Sequence, residues 1–197
     1  MRIFSSKNFT IEPGFCILVA VALLIFPPNW VFAWLAAAAF HELCHCLALW
    51  LCGATTYSFR IGLTGAVIDT ESMTSRQEFL SALAGPLGGL SLLILLRLVP
   101  QLAICALLQT LYNMLPIYPL DGGRALLCCV KSIFGGDRAL TIYRYVKGAT
   151  IAVLLLCAAV ATFVLKAGFL PLGVVLLLWI KSGTLKTPCK QPKQIVQ

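Results

Sequence analysis

His41 and His45 are the chain's two histidines. They stand in the run Phe40-His41-Glu42-Leu43-Cys44-His45-Cys46, an H-E-x-x-H arrangement. On a helix advancing about 100° per residue, positions four apart fall on nearly the same face, one turn from each other. Two imidazoles so placed can grip one divalent metal, and the intervening Glu42, offset by one residue, can act as a base on a nearby water without being a ligand. Such a motif in a water-soluble chain would indicate zinc-dependent peptide hydrolysis. Here it lies within the apolar stretch 30–51, where lipid is the expected solvent. Ionisable groups are costly at that depth, so their presence points to function. The competing reading is a pair of satisfied core histidines. Gathering both of the chain's histidines at ligand spacing disfavours it.

The composition describes the elements that must position this motif. Of 197 residues, 60% are hydrophobic and 11% charged, and the mean hydropathy is +0.93. Several apolar runs approach the roughly 20 residues that span a bilayer. The fold class expected is an all-α polytopic membrane protein of about six transmembrane helices. The net charge of +8 is spread over loops and tail rather than interleaved with aromatics, so lipid topology accounts for it and nucleic acid does not. The nine cysteines are odd in number and irregularly spaced. They read as small, reduced, apolar residues rather than a disulfide framework or zinc ribbon. Arg2 and Lys7 precede the first apolar run, but Pro27-Pro28 follows it in place of a small-x-small cleavage site, so an uncleaved helix is expected.

Helices are expected at about 15–26, 30–51, 76–98, 101–118, 148–165 and 169–180, forming one membrane domain over 1–180. A basic tail over 181–197 is expected to be disordered. The four alanines at 36–39 thin the second helix for close helix packing, and Gly53 ends it. Residues 54–70 are β-branched, aromatic and punctuated by Gly62 and Gly65, which predicts a short β-hairpin between the second and third helices. Its exposed edge could receive an unwound substrate segment as an added strand. Ser75 and Glu78 stand at capping-box spacing ahead of the third helix, which carries Ala84-Gly85-Pro86 and then Gly88-Gly89, a pattern for a kink and tight packing. Residues 131–147 read as a basic loop.

A second stretch carries chemistry: Asn113, Pro116, Pro119, then Leu120-Asp121-Gly122-Gly123. Two prolines break the helix, and broken backbone at membrane depth is tolerated where it lines a cavity or is covered by protein. Asp121 could simply cap a helix starting at Gly122. It could also complete the metal site, because catalytic zinc takes three protein ligands and an open position. No third histidine exists to serve, and the remaining acids, Glu12, Asp69, Glu71, Glu78 and Asp137, lie in expected loops or at helix ends. With both termini cytoplasmic and six crossings, only Arg97 and Lys166 among the 15 basic residues fall outside. That split obeys the positive-inside rule. It puts the histidine motif and Asp121 at one depth, toward the cytoplasm.

These residues resemble the site-2 protease family of intramembrane zinc metalloproteases. The first family motif is matched by Phe40-His41-Glu42-Leu43-Cys44-His45. The second, N-x-x-P-x-x-x-L-D-G, is matched by Asn113, Pro116, Leu120, Asp121 and Gly122, and Ala84-Gly85-Pro86 is also similar. Within the family the chain is most similar to the bacterial branch of the sporulation factor protease. The resemblance implies one Zn2+ per chain held by His41, His45 and Asp121, with Glu42 as the catalytic base and Asn113 contacting the substrate backbone. It implies hydrolysis of a peptide bond within or beside a transmembrane segment of a protein or peptide substrate, in a multi-pass protein of a bacterial cell membrane. Cys44 departs from the pattern, since the family has glycine before the second histidine. No PDZ domain is expected, and the tail is expected to be too short for a CBS domain. Substrate selection is therefore expected from the hairpin, the helices or separate regulatory membrane proteins. Two rival readings use the same residues: a metal transporter or zinc sensor, and a non-catalytic relative that binds transmembrane helices.

Overall fold

The computed structural model describes residues 9–183 except 55, 63–64, 71–72 and 167. The tail beyond 183, with Cys189, and the turn of the hairpin lie outside the described residues. Among the described residues the chain order is β1 (Phe9–Ile11), α1 (Pro13–Ile25), α2 (Pro28–Leu51), β2 (Thr56–Gly62), β3 (Gly65–Thr70), α3 (Ser75–Ser91), a 3-10 turn (Leu92–Arg97), α4 (Pro100–Asn113), α5 (Asp121–Phe134), α6 (Gly136–Phe163) and α7 (Leu170–Gly183). The expected helical membrane fold with its hairpin is present.

Among the described residues, three helical segments are long and apolar enough to cross a membrane: α2, α3 continued through the 3-10 turn to Arg97, and α6. The 24 residues of α2 rise about 36 Å, against a hydrocarbon thickness of about 30 Å. The bundle is apolar outside and carries polar groups within. On α2, Ala37, His41, His45 and Leu49 recur every fourth residue and are buried, whereas Phe32, Leu43, Leu47 and Leu51 are exposed. A water-soluble helix shows the opposite distribution.

Small residues bring the helices together. Ala37 of α2, Ala106 of α4 and Leu92 of the 3-10 turn form one buried cluster. Without a hydrophobic drive between helices in lipid, such close van der Waals contact becomes the main cohesive term. At the other side Ile117 and Leu120, from the connection between α4 and α5, pack with Ile151 of α6 and Leu178 of α7. Gln77 Nε2 of α3 donates to the Cys52 carbonyl at the end of α2, at 2.9 Å, and so fixes the two helix ends.

The sheet has order β1-β2-β3. β2 and β3 pair antiparallel, with Arg60 opposite Val67 and Gly62 opposite Gly65. β1 joins β2 in parallel, Ile11 opposite Ile61. The sequence gives β1 no signal of its own, because a strand of three residues is too short to show a period.

Four local expectations are corrected. The capping box is formed by Thr74 and Gln77, one residue earlier than Ser75 and Glu78. The helix expected over 101–118 ends at Asn113, where Pro116 removes a donor and disfavours helix in the residue before it. The basic stretch 131–147 is helical. α5 runs to Phe134, Gly135 turns the chain at φ +76°, and α6 starts at Gly136. Lysine and arginine are good helix formers, so α6 begins well before its apolar part. Finally, the eight cysteines among the described residues are free thiols, as expected, but several are exposed on the apolar exterior instead of filling the core.

If the α2–α4 contact is set by its alanines, Ala106→Leu should destabilise the bundle by about 1–3 kcal/mol through overpacking. Leu108→Ala, on an exposed face of α4, should change stability by less than about 0.5 kcal/mol. Thermal unfolding of the detergent-solubilised protein would separate the two.

Candidate metal centre

The histidine pair is carried by α2, whose geometry alone brings the two rings together. Their centroids lie 4.7 Å apart, edge to face. Asp121, the first residue of α5, arrives from the broken connection after α4. Its Oδ2 is 3.0 Å from His41 Nε2 and 3.2 Å from His45 Nε2, and the two Nε2 atoms are 3.1 Å apart. All three residues are buried. The Asp121 carboxylate is therefore turned to the histidines. The helix starts at Asp121 itself, with Leu120 at the cap position, one residue earlier than a cap at Asp121 would require.

Each ring has further partners. His45 Nδ1 lies 2.7 Å from the Ser81 carbonyl. A carbonyl only accepts, so Nδ1 donates to it and Nε2 is the nitrogen turned to the site. The Asn113 amide nitrogen is 3.1 Å from His41 Nε2. His41 Nδ1 is buried with no protein partner among the described residues. Both Nε2 atoms and one carboxylate oxygen thus face a common point.

This donor set fits a small divalent cation. Tetrahedral zinc with ligand bonds of about 2.0–2.1 Å needs donor atoms about 3.3 Å apart. The triangle of 3.0–3.2 Å is within a few tenths of an ångström of that. His41, His45 and Asp121 could hold a metal ion, and the hydrogen bond from His45 to Ser81 is the outer contact that orients a ligating imidazole.

Glu42 is half-buried on the adjacent face of α2 and lies within electrostatic reach of His41, His45, Asp121 and Arg124. Arg124 Nε is 3.9 Å from Glu78 Oε1, a loose pair linking α5 to α3. So all five residues singled out in the sequence gather at one place.

Glycines set the tightness of the site. A Cβ at Gly85 of α3 would overlap His45 Nε2 and His41 Nε2, so the α3 backbone runs directly over both rings. A Cβ at Gly88 would overlap Cys44 Sγ. The small residue expected on α2 at position 44 is supplied from the facing helix, which explains how Cys44 is accommodated. Ser81, missed from the sequence, contributes through its backbone carbonyl. Any residue type has one, so no sequence signal marks it.

A helical membrane bundle around a buried two-histidine, one-carboxylate centre is the class that fold and site define. Among solved structures, the fold is similar to the Site-2 Protease from Methanocaldococcus jannaschii, with a TM-score of 0.64 over 93% of each chain and 18% sequence identity. At that identity the likeness establishes the shared fold. The sequence matches no family model and no curated protein.

Gly85→Ala removes no donor, yet it should weaken metal binding by at least about tenfold, comparable to loss of an orienting contact. Competition against a chelator, with protein purified in detergent, would measure it. The wild type should retain about one zinc per chain, and Asp121→Ala should lose it.

Proposed function

We propose that the chain is an intramembrane zinc metalloprotease of the site-2 type, cutting a peptide bond within or next to a transmembrane segment of its substrate. The observation that carries this reading is the convergence of His41, His45 and Asp121 within 3.2 Å of one another beside Glu42, in a bundle with the fold of a site-2 protease.

His41, His45 and Asp121 hold Zn2+. When bound, the metal supplies Lewis-acid polarisation of the scissile carbonyl and makes water more acidic. Glu42 takes a proton from the attacking water and delivers it to the leaving amine, the double duty of a general acid–base. The Asn113 amide, now donating to His41 Nε2, is free to turn to the substrate carbonyl once that nitrogen is engaged elsewhere, and so orients the bond to be cut. A substrate helix must unwind before its carbonyls are accessible. β3, paired on one side to β2, offers backbone groups that can replace those the unwound segment loses.

In this reading residues 1–180 form the membrane protease domain and 181–197 a basic cytoplasmic tail. Both termini and the catalytic centre face the cytoplasm of a bacterial cell. The substrate is a membrane protein or peptide, met within the lipid bilayer, and separate membrane proteins regulate access to it.

Glu42→Gln keeps the shape of the side chain and removes the base. Cleavage of transmembrane peptides by purified, zinc-loaded protein should fall by about 10²- to 10⁴-fold, with zinc content unchanged. Cleavage undiminished by the substitution would overturn the role of Glu42. Zinc flux into proteoliposomes that survives Glu42→Gln, with no peptide cleaved by the wild type, would favour a metal transporter.

A further inference from the structure

The two histidines owe their placement to a continuous helix, but Asp121 does not. It stands at the end of residues 114–120, which are not helical, so something outside α2 and α3 must fix where its carboxylate lies. Two glycines after it show how closely the pieces fit. A Cβ at Gly122 would overlap the Met114 and Leu115 carbonyls, and one at Gly123 would overlap the backbone of Ile117 and Tyr118. The first turn of α5 therefore lies flat on the connection, and a displacement of one displaces the other.

The connection in turn rests on α6 and α7, which supply no donor to the metal triangle. Ile117, only 1% exposed, and Leu120 pack against Ile151 of α6 and Leu178 of α7. The Tyr118 backbone N–H donates to the Tyr143 hydroxyl of α6 at 2.6 Å, and Tyr143 is itself 3% exposed. A hydrophobic contact fixes the distance between loop and helix but lets the loop slide. A hydrogen bond at a defined peptide fixes its register.

We propose that Tyr143 is a positioning residue of the metal centre: by holding the Tyr118 peptide it sets the α4–α5 connection, and with it the distance of the Asp121 carboxylate from the two imidazoles. The proposal rests on the reading of His41, His45 and Asp121 as metal ligands. The donor triangle, with edges of 3.0–3.2 Å, leaves little slack, so a shift of a few tenths of an ångström at Asp121 is enough to lower affinity. Tyr143 is not one of the three donors and acts through the connection.

Tyr143→Phe removes one oxygen and leaves the ring in its packing. Three quantities should be read on the full-length protein in detergent: zinc affinity by chelator competition, thermal stability, and amide exchange of the segment 114–121. Ala158→Gly, in a buried position on the same helix far from the connection, serves as a control that weakens α6 without touching the tether. The expected result is a zinc affinity about 10- to 100-fold lower in Tyr143→Phe with faster exchange confined to 114–121. Ala158→Gly should lower the melting temperature with zinc affinity intact. Equal zinc affinity in Tyr143→Phe and wild type would overturn the proposal and leave the metal centre standing. So would losses of affinity that merely follow melting temperature in both variants. A wild type that binds no zinc would overturn the metal-centre reading and this proposal together.

Discussion

Two imidazole Nε2 atoms and a carboxylate oxygen are held about 3 Å apart, and the rest of the bundle is arranged so that they stay together. Taking a carboxylate out of water costs several kcal/mol even after relaxation. A neutral hydrogen bond returns about 1 kcal/mol net. The contacts from Ser81 to His45 and from Asn113 to His41 are therefore too weak to hold the triangle by themselves. Their work is directional: the Ser81 carbonyl takes the Nδ1 side of His45 and so turns its Nε2 inward, and Asn113 meets His41 at the Nε2 that faces Asp121. Proximity itself comes from steric enclosure, and three such groups at one point could hold a cation.

The enclosure is made of absent side chains. Where the α3 backbone crosses the rings there is Gly85, where it meets Cys44 there is Gly88, and where it meets Thr110 of α4 there is Gly89. Ala37 and Ala106 do the same between α2 and α4. In lipid the surroundings of a helix are as apolar as its neighbour, so association depends on how closely two surfaces can approach. The exchange at Cys44 and Gly88 illustrates this. What the packing conserves is the combined volume at a helix crossing, and either helix can provide the small residue.

This explains which parts were legible in the sequence. The histidine pair was, because helical spacing is a local property. Asp121 and Asn113 were, because chemically costly residues beside prolines in an apolar chain stand out and match a family motif. The hairpin was, from β-branched residues around Gly62 and Gly65. The start of α6 was not: Arg138, Arg144 and Lys147 look like a loop to a hydropathy reading, although they favour helix. The shift of the cap from Ser75 to Thr74 was not, because Thr74/Gln77 and Ser75/Glu78 are equally good boxes, and the choice fell to Gln77, which also reaches the Cys52 carbonyl. Tyr143 and Ser81 were invisible for a different reason. Tyr143 is bonded by a backbone N–H and Ser81 acts through its own backbone carbonyl, and a backbone group has no residue type.

The break between α4 and α5 shows how a third ligand can be delivered at such a place. An interrupted helix exposes donors and acceptors that lipid cannot satisfy. Here the interruption binds itself: Leu115 N donates to Tyr112 O, Ile117 N to Leu115 O, Leu120 N to Ile117 O, and Arg124 N to Leu120 O. Two of the remaining positions, 116 and 119, are prolines and have no donor to satisfy. Tyr118, which would be left, donates to Tyr143. Each proline thus removes a problem as well as ending a helix. An uninterrupted helix through 113–121 would carry Asp121 about 12 Å along its axis from Asn113, at 1.5 Å per residue. The folded connection instead returns Asp121 to the same imidazole, His41, that Asn113 touches. The closeness of those two residues at one ring is what the broken, self-bonded segment makes possible.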